Sequence, residues 1–142
     1  MAMGTVTATN VKTGAVEVVK SFPEGTQAEI YSAAVTTAFA ATDVITGPKI
    51  PAGAYLLDVF LQSTDIDSGS TCLLDVGISG TAQKFIAAST VGQAGGLVHA
   101  TGSTTLGYSP SSDTAVLVTC NATANTAVAG TVTVGITYTQ SP

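Results

Sequence analysis

Apolar and polar positions alternate along most of the chain with a period of two, and no stretch keeps a helical period for more than a couple of turns. Val, Ile and Thr fill the alternating runs, as half-buried strands prefer. The pattern predicts strands over 15–20, 28–39, 42–47, 54–63, 71–79, 84–88, 96–101, 114–121 and 131–139, separated by Gly, Pro, Ser, Asn and Asp, the residues that make turns. Alternation also assigns faces. In 71–79, Cys72, Leu74, Val76 and Ile78 share one side and Thr71, Leu73, Asp75 and Gly77 the other. Val116, Val118 and Cys120 point together in 114–121. In 131–139 the set Val132, Val134, Ile136 and Tyr138 opposes a nearly pure hydroxyl face of Thr131, Thr133, Gly135, Thr137 and Thr139. Short strands of this kind, at roughly 8- to 12-residue spacing, need a second sheet to cover their apolar side. The expected fold is all-β: an antiparallel β-sandwich, jelly-roll-like.

Residues 1–27 break this rhythm. They hold Lys12 and Lys20, the Pro23 to Gly25 interruption and one convincing strand. The expected organisation is an N-terminal arm or edge strand over 1–27 followed by a β-sandwich domain over 28–142. An extended arm of about 25 residues at roughly 3.3 Å each reaches some 80 Å, well beyond a small domain.

Composition narrows the function. The chain has 142 residues, 45% of them hydrophobic and 9% charged, with no Trp. One domain of this length buries roughly 70% of its unfolded surface and needs no staples. Its apolar residues never gather into the roughly 18 to 20 in a row that a membrane helix requires, so no membrane span is expected. "MAMGTVTATN" shows neither a basic n-region nor an apolar h-region, which suggests a product made in a cytosol. The net charge is −5, and all four positive residues (Lys12, Lys20, Lys49 and Lys84) are lysines. Without clustered Lys and Arg, phosphate neutralisation is weak, and nucleic acid is not an expected partner. Cys72 and Cys120 each sit in an apolar strand-like run and read as buried free thiols. "NAT" at 121–123 matches a glycosylation sequon, read here as chance.

The chemical motifs do not survive inspection. Asp65, Asp67 and Gly69 form a D-x-D-x-G fragment, but a helix–loop–helix calcium loop needs an oxygen ligand at its fifth position, Gly at its sixth and Glu at its twelfth, where this chain has Gly69, Ser70 and Val76. A strand–turn–strand connection, with Asp capping the turn and Gly supplying a positive φ, is the better reading. His99 is the single histidine, stands in "GLVHAT" and has no nucleophile motif beside it. The nine acids fall mostly at turns, and a sugar cleft would offer Trp or several clustered Tyr. "GQAGG" lacks the G-K-[ST] continuation of a phosphate loop, and no Cys/His set has metal-ligand spacing. No enzyme activity, cofactor or metal is expected.

The succession "IPAGAYLLDVFLQSTDIDSGSTCLLDVGIS", then "AQKFIAASTVGQAGG" and later "VTVGITYT", resembles small structural proteins of tailed-bacteriophage heads. There a Pro-Ala-Gly turn opens a strand and "LDVG" precedes a short "FI" strand. The resemblance spans about residues 50 to 139 and is nearest to jelly-roll capsid decoration, or cement, proteins. It implies a virion protein on the capsid surface, bound to the major capsid protein and to itself as a homodimer or homotrimer, with the N-terminal segment and loops clamping the shell. On that reading Lys12, Val16, Val18, Lys20 and Phe22 are the expected partner-binding residues, the lysines meeting acidic capsid surface. A head-fibre base, a neck or tail component and a carbohydrate-binding attachment module are the alternatives.

Overall fold

The computed structural model describes residues 11–19, 26–36, 39–100 and 105–140, with backbone alone over 11–19. Nine strands run in chain order: β1 (Val11–Val19), β2 (Thr26–Val35), β3 (Val44–Ile50), β4 (Tyr55–Ser63), β5 (Leu73–Ile78), β6 (Thr81–Ser89), β7 (Gly96–His99), β8 (Thr114–Ala122) and β9 (Gly130–Thr139). A single 3-10 turn at Val91–Gln93 interrupts them. They form one sheet of order β1-β2-β9-β4-β7 and a second of order β3-β8-β5-β6. All strand pairs are antiparallel. Set β1 aside and letter the remaining strands B to I: the sheets read B-I-D-G and C-H-E-F, the double Greek key of a jelly roll. The expected architecture is present, and β1 is an addition at the edge beside strand B.

The core is the interdigitation of the two inner faces. β9 contributes Val132, Val134, Ile136 and Tyr138, β2 contributes Tyr31, Ala33 and Val35, and β4 contributes Leu56, Val59 and Leu61; from the other sheet come Leu74, Val76, Val116, Val118, Ile45 and Ile50. The alternation read in β8 and β9 is the alternation observed; in β5 Leu74 and Val76 enter the core as expected, but Asp75 and Gly77 on the other face are buried too and Ile78 is only half-buried. Fully burying an aliphatic side chain is worth about 1.5–3 kcal/mol, so this shared cluster is the main source of stability.

Three strands depart from simple alternation, each for an identifiable reason. In β4 the partners of Leu56 and Asp58 are Tyr138 and Thr137, so Leu57 is an extra residue that bulges outward, 39% exposed. The bulge changes the phase, and the core positions become 56, 59 and 61. Phe60 is thereby turned to the outer face and lies over Gly135, where any Cβ would overlap its ring. β3 was expected to stop at residue 47 but continues to Ile50 through Pro48. It is an edge strand with a register shift between Thr46 and Lys49, the setting in which a proline without an N–H is tolerated. β6 reaches beyond 84–88 to Thr81–Ser89 and loses register with β5 twice.

Candidate partner-binding surfaces

The corner joining β4 to β5 holds the acids that first suggested a ligand loop. Asp67 has no exposed surface. Its Oδ1 accepts from the Gly69 and Thr126 N–H groups at 2.9 and 3.0 Å, and its Oδ2 accepts from Thr71 and Cys72 at 3.1 and 2.9 Å. Asp65 Oδ1 accepts from the Asp67 N–H at 3.0 Å. Burial pushes the Asp67 carboxyl up, but the four backbone donors outweigh it and hold the group at about 2. A carboxylate so engaged is a structural pin and has no lone pair turned to a cation. Gly69, expected to supply a positive φ, is not among the residues with one. It is small for another reason: a Cβ there would fall on the Asn125 amide, whose Oδ1 accepts from the Ser70 N–H at 3.3 Å.

A second buried carboxylate, which alternation placed on the outer face of β5 without assigning it a role, organises β6. Asp75 is 4% exposed and accepts from the Ala88 N–H at 2.7 Å, from Asn121 Nδ2 at 3.0 Å and from Gln83 Nε2 at 3.2 Å. Ala88 is held at φ 50, a left-handed conformation that costs a residue with a Cβ about 1–2 kcal/mol. Asp75 thus fixes the irregular course of β6. Between β6 and β7, the edge strands on one side of the sandwich, lies a cleft of about 570 Å³ lined by Gln83, Lys84, Phe85, Val98 and His99 among others. The Lys84 ammonium sits 4.5 Å above the Tyr108 ring, which in turn meets Phe85 edge-on.

The groups that nucleophilic chemistry would use stand apart. His99 is exposed at the end of β7, its Nδ1 2.9 Å from Asp58 Oδ2. Cys72 and Cys120 are free and lie in the core. The Cys120 thiol is pushed up by the hydrogen bond it shares with Cys72, by burial and by nearby Asp43. It also donates toward the carbonyls of Phe39 and Ala122, at 3.2 and 3.3 Å. A thiol held protonated in this way is a poor nucleophile. Among the described residues, no three His, Cys, Asp or Glu side chains gather as a metal site.

The outer face of the five-stranded sheet is a regular surface. Cross-strand partners set Thr26, Ala28, Ile30, Ser32 and Ala34 against Thr139, Thr137, Gly135, Thr133 and Thr131. Ser32 and Thr133 hydroxyls meet at 2.9 Å. Among residues of this face whose side chains are described, Asp58 is the one acid and His99 the one basic group, and they pair with each other; Tyr55 stands exposed at the end of β4. At the inner end of β2 the Tyr138 hydroxyl lies 2.9 Å from Glu29 Oε2 and from Gln27 Oε1; burial and the Glu29 charge push its pKa up.

Of the residues expected to bind partners, three lie on β1: Lys12 is in register with Ala34, Val16 with Tyr31 and Val18 with Glu29. Lys20 and Phe22 lie outside the described residues.

No protein-family model matches the chain, and no curated protein matches it. Solved structures do. A chain of the capsid asymmetric unit of cyanophage Pam1 superposes with a TM-score of 0.76 at 31% identity, over 91% of this chain and 94% of that one. A chain of the capsid of Ralstonia phage GP4 gives a TM-score of 0.70 at 30% identity, over 87% and 90%. The acid-stable capsid of Helicobacter pylori bacteriophage KHP30 contains a chain sharing the fold, with a TM-score of 0.53 at 19% identity over 82% and 94%. With the jelly roll reproduced almost end to end at this identity, the chain belongs to the family of phage capsid proteins and is a structural component of a virion.

Proposed function

We propose that the chain is a decoration, or cement, protein that binds the outer face of the major capsid protein lattice and stabilises the head. The observation that carries this reading is mutual coverage: the chain in the Pam1 capsid asymmetric unit is matched over 94% of its length by 91% of this one, so it too is a small chain of about this size. A single sandwich of 14.0 kDa suits an added subunit better than a lattice tile, which must bond to neighbours on every side. Of its four sheet edges β7 has only four residues, β3 is interrupted by proline and β6 is shifted in register twice, which further limits the sides on which it could tile.

Binding only the assembled shell stabilises it by mass action, and many symmetric copies multiply a modest contact energy. The N-terminal segment supplies the grip: Val16, Val18 and Phe22 add strand and apolar contacts, while Lys12 and Lys20 meet acidic capsid surface. The protein acts as a homodimer or homotrimer on the capsid surface and is made in the host cytoplasm. Removing residues 1–22 takes away β1 and leaves the complete eight-stranded jelly roll β2–β9. The truncated protein should keep its β circular-dichroism signal and no longer co-sediment with shells stripped of the native protein. Retained binding would remove the N-terminal segment from the interface, and failure of the full chain to rebind stripped shells would overturn the decoration role itself.

A further inference from the structure

A sandwich of two open sheets has four edges, here β1 and β7 on one sheet and β3 and β6 on the other. An edge strand presents unpaired N–H and C=O groups to any chain able to pair with them, and proteins blunt the edges they do not use. β7 is only four residues long. β3 carries Pro48 and a register shift. β6 shifts register twice and holds Ala88 at positive φ. β1 is different: nine residues, one register shift between Thr13 and Val16, and no proline.

The sequence of β1 is complementary to itself. Val11, Thr13, Val16 and Val18 are in register with Val35, Ala33, Tyr31 and Glu29, the inward face of β2. Lys12 and Glu17 are in register with Ala34 and Ile30, which pair in turn with Thr131 and Gly135 on the outer face. The shift at 14–15 is what brings the two charged positions onto the same side. Residues directly opposite in an antiparallel pair share a face. Two β1 strands related by a two-fold axis between Gly14 and Ala15 therefore set Val11 opposite Val18, Lys12 opposite Glu17 and Thr13 opposite Val16, each twice. A slip of one residue either way would put Lys12 opposite Val16 or Val18 and mix the two faces. Because both strands carry the bulge at the axis, pairing stays in phase on either side of it.

We propose that β1 pairs antiparallel with β1 of a second copy in this register, joining two five-stranded sheets edge to edge with Lys12 of each copy opposite Glu17 of the other. The partner is argued from that charge complementarity: copies of a chain of net charge −5 repel, and this edge offers each acid a lysine. The pairing is a property of the isolated protein, and a β1 edge taken up by a second copy is not free to grip the shell as proposed above, so the dimer and the capsid-bound state are alternatives for this strand.

Sedimentation equilibrium of the full chain tests it, with K12E, E17K and the double variant K12E/E17K compared at low salt. The wild type should show a monomer–dimer equilibrium. Each single reversal makes two like-charge pairs per dimer and should weaken association about tenfold, and the double variant, with the pairs restored in reverse order, should return to within about twofold of wild type. Circular dichroism separates misfolding from dissociation, and recovery in the double variant shows that the effect lies in the pairing. A monomeric wild type, an oligomer indifferent to the single reversals, or a double variant as weak as either single would each overturn the proposal.

Discussion

β1 and β6 are both nine-residue edge strands, yet they treat their free sides differently. β6 falls out of register twice, turns through a left-handed alanine and is tied down by a buried carboxylate that also gathers Gln83 and Asn121. β1 follows β2 with a single shift. A strand made irregular in this way cannot template another chain, whereas a regular one can. The contrast separates a blunted edge from a more regular one: the β6 side is fixed by the fold, and the β1 side is the one that the proposals above use for assembly.

The corner that joins β4 to β5 gives the largest expected effect. Replacing Asp67 with Ala leaves four backbone N–H groups without their acceptor, and thermal unfolding should move down further than for any other change in this set. The same carboxyl sets acid sensitivity. Its folded pKa of about 2 lies below the ordinary 3.8, so its stabilisation is complete above about pH 4 and is lost as the pH falls toward 2. The stability gap between wild type and Asp67→Asn should accordingly be wide near pH 7 and narrow by about pH 2.5, as read by urea denaturation. A gap independent of pH would show that the carboxylate charge is not what holds the corner.

Asp75→Ala attacks the β6 side directly. It orphans the Ala88 N–H and two side-chain amides, at a cost of about 2–4 kcal/mol by chemical denaturation, and frees β6 to become a regular edge that raises light scattering. A smaller change sharpens the same point. Ala88→Gly removes left-handed strain of about 1–2 kcal/mol while adding unfolded-chain entropy of about 0.4–1, for a net gain of about 0.5 kcal/mol. A loss would mean that the φ of Ala88 carries no strain. On the open side, Lys12→Glu should change monomer stability by less than about 0.5 kcal/mol, since its register partner in β2 is Ala34 and no carboxylate.

Much of this was legible from alternation and turn residues. The faces of β8 and β9, the two-sheet core, the free thiols and the structural use of the acids at 65–67 all follow from residue type and a period of two. What the period could not give is register. Leu57 reads as one more step in an alternating run, and only its pairing with β9 shows that it is extra. Pro48 reads as a strand end because its missing N–H matters in a central strand, but β3 is an edge. Asp75 reads as one more outward residue of β5, because the groups it binds arrive from β6 and β8, far along the chain. Gly69 serves close packing against Asn125 across 56 residues of sequence, which no local turn rule encodes.

Decoration of the outer lattice is tested most directly by electron cryomicroscopy of particles that carry the protein, with the sandwich fitted into the reconstructed shell. Decoration predicts density for the jelly roll repeated across every facet on the outer surface, in contact with the major capsid protein through its N-terminal strand. Density confined to a single vertex, or found only inside the shell, would contradict it.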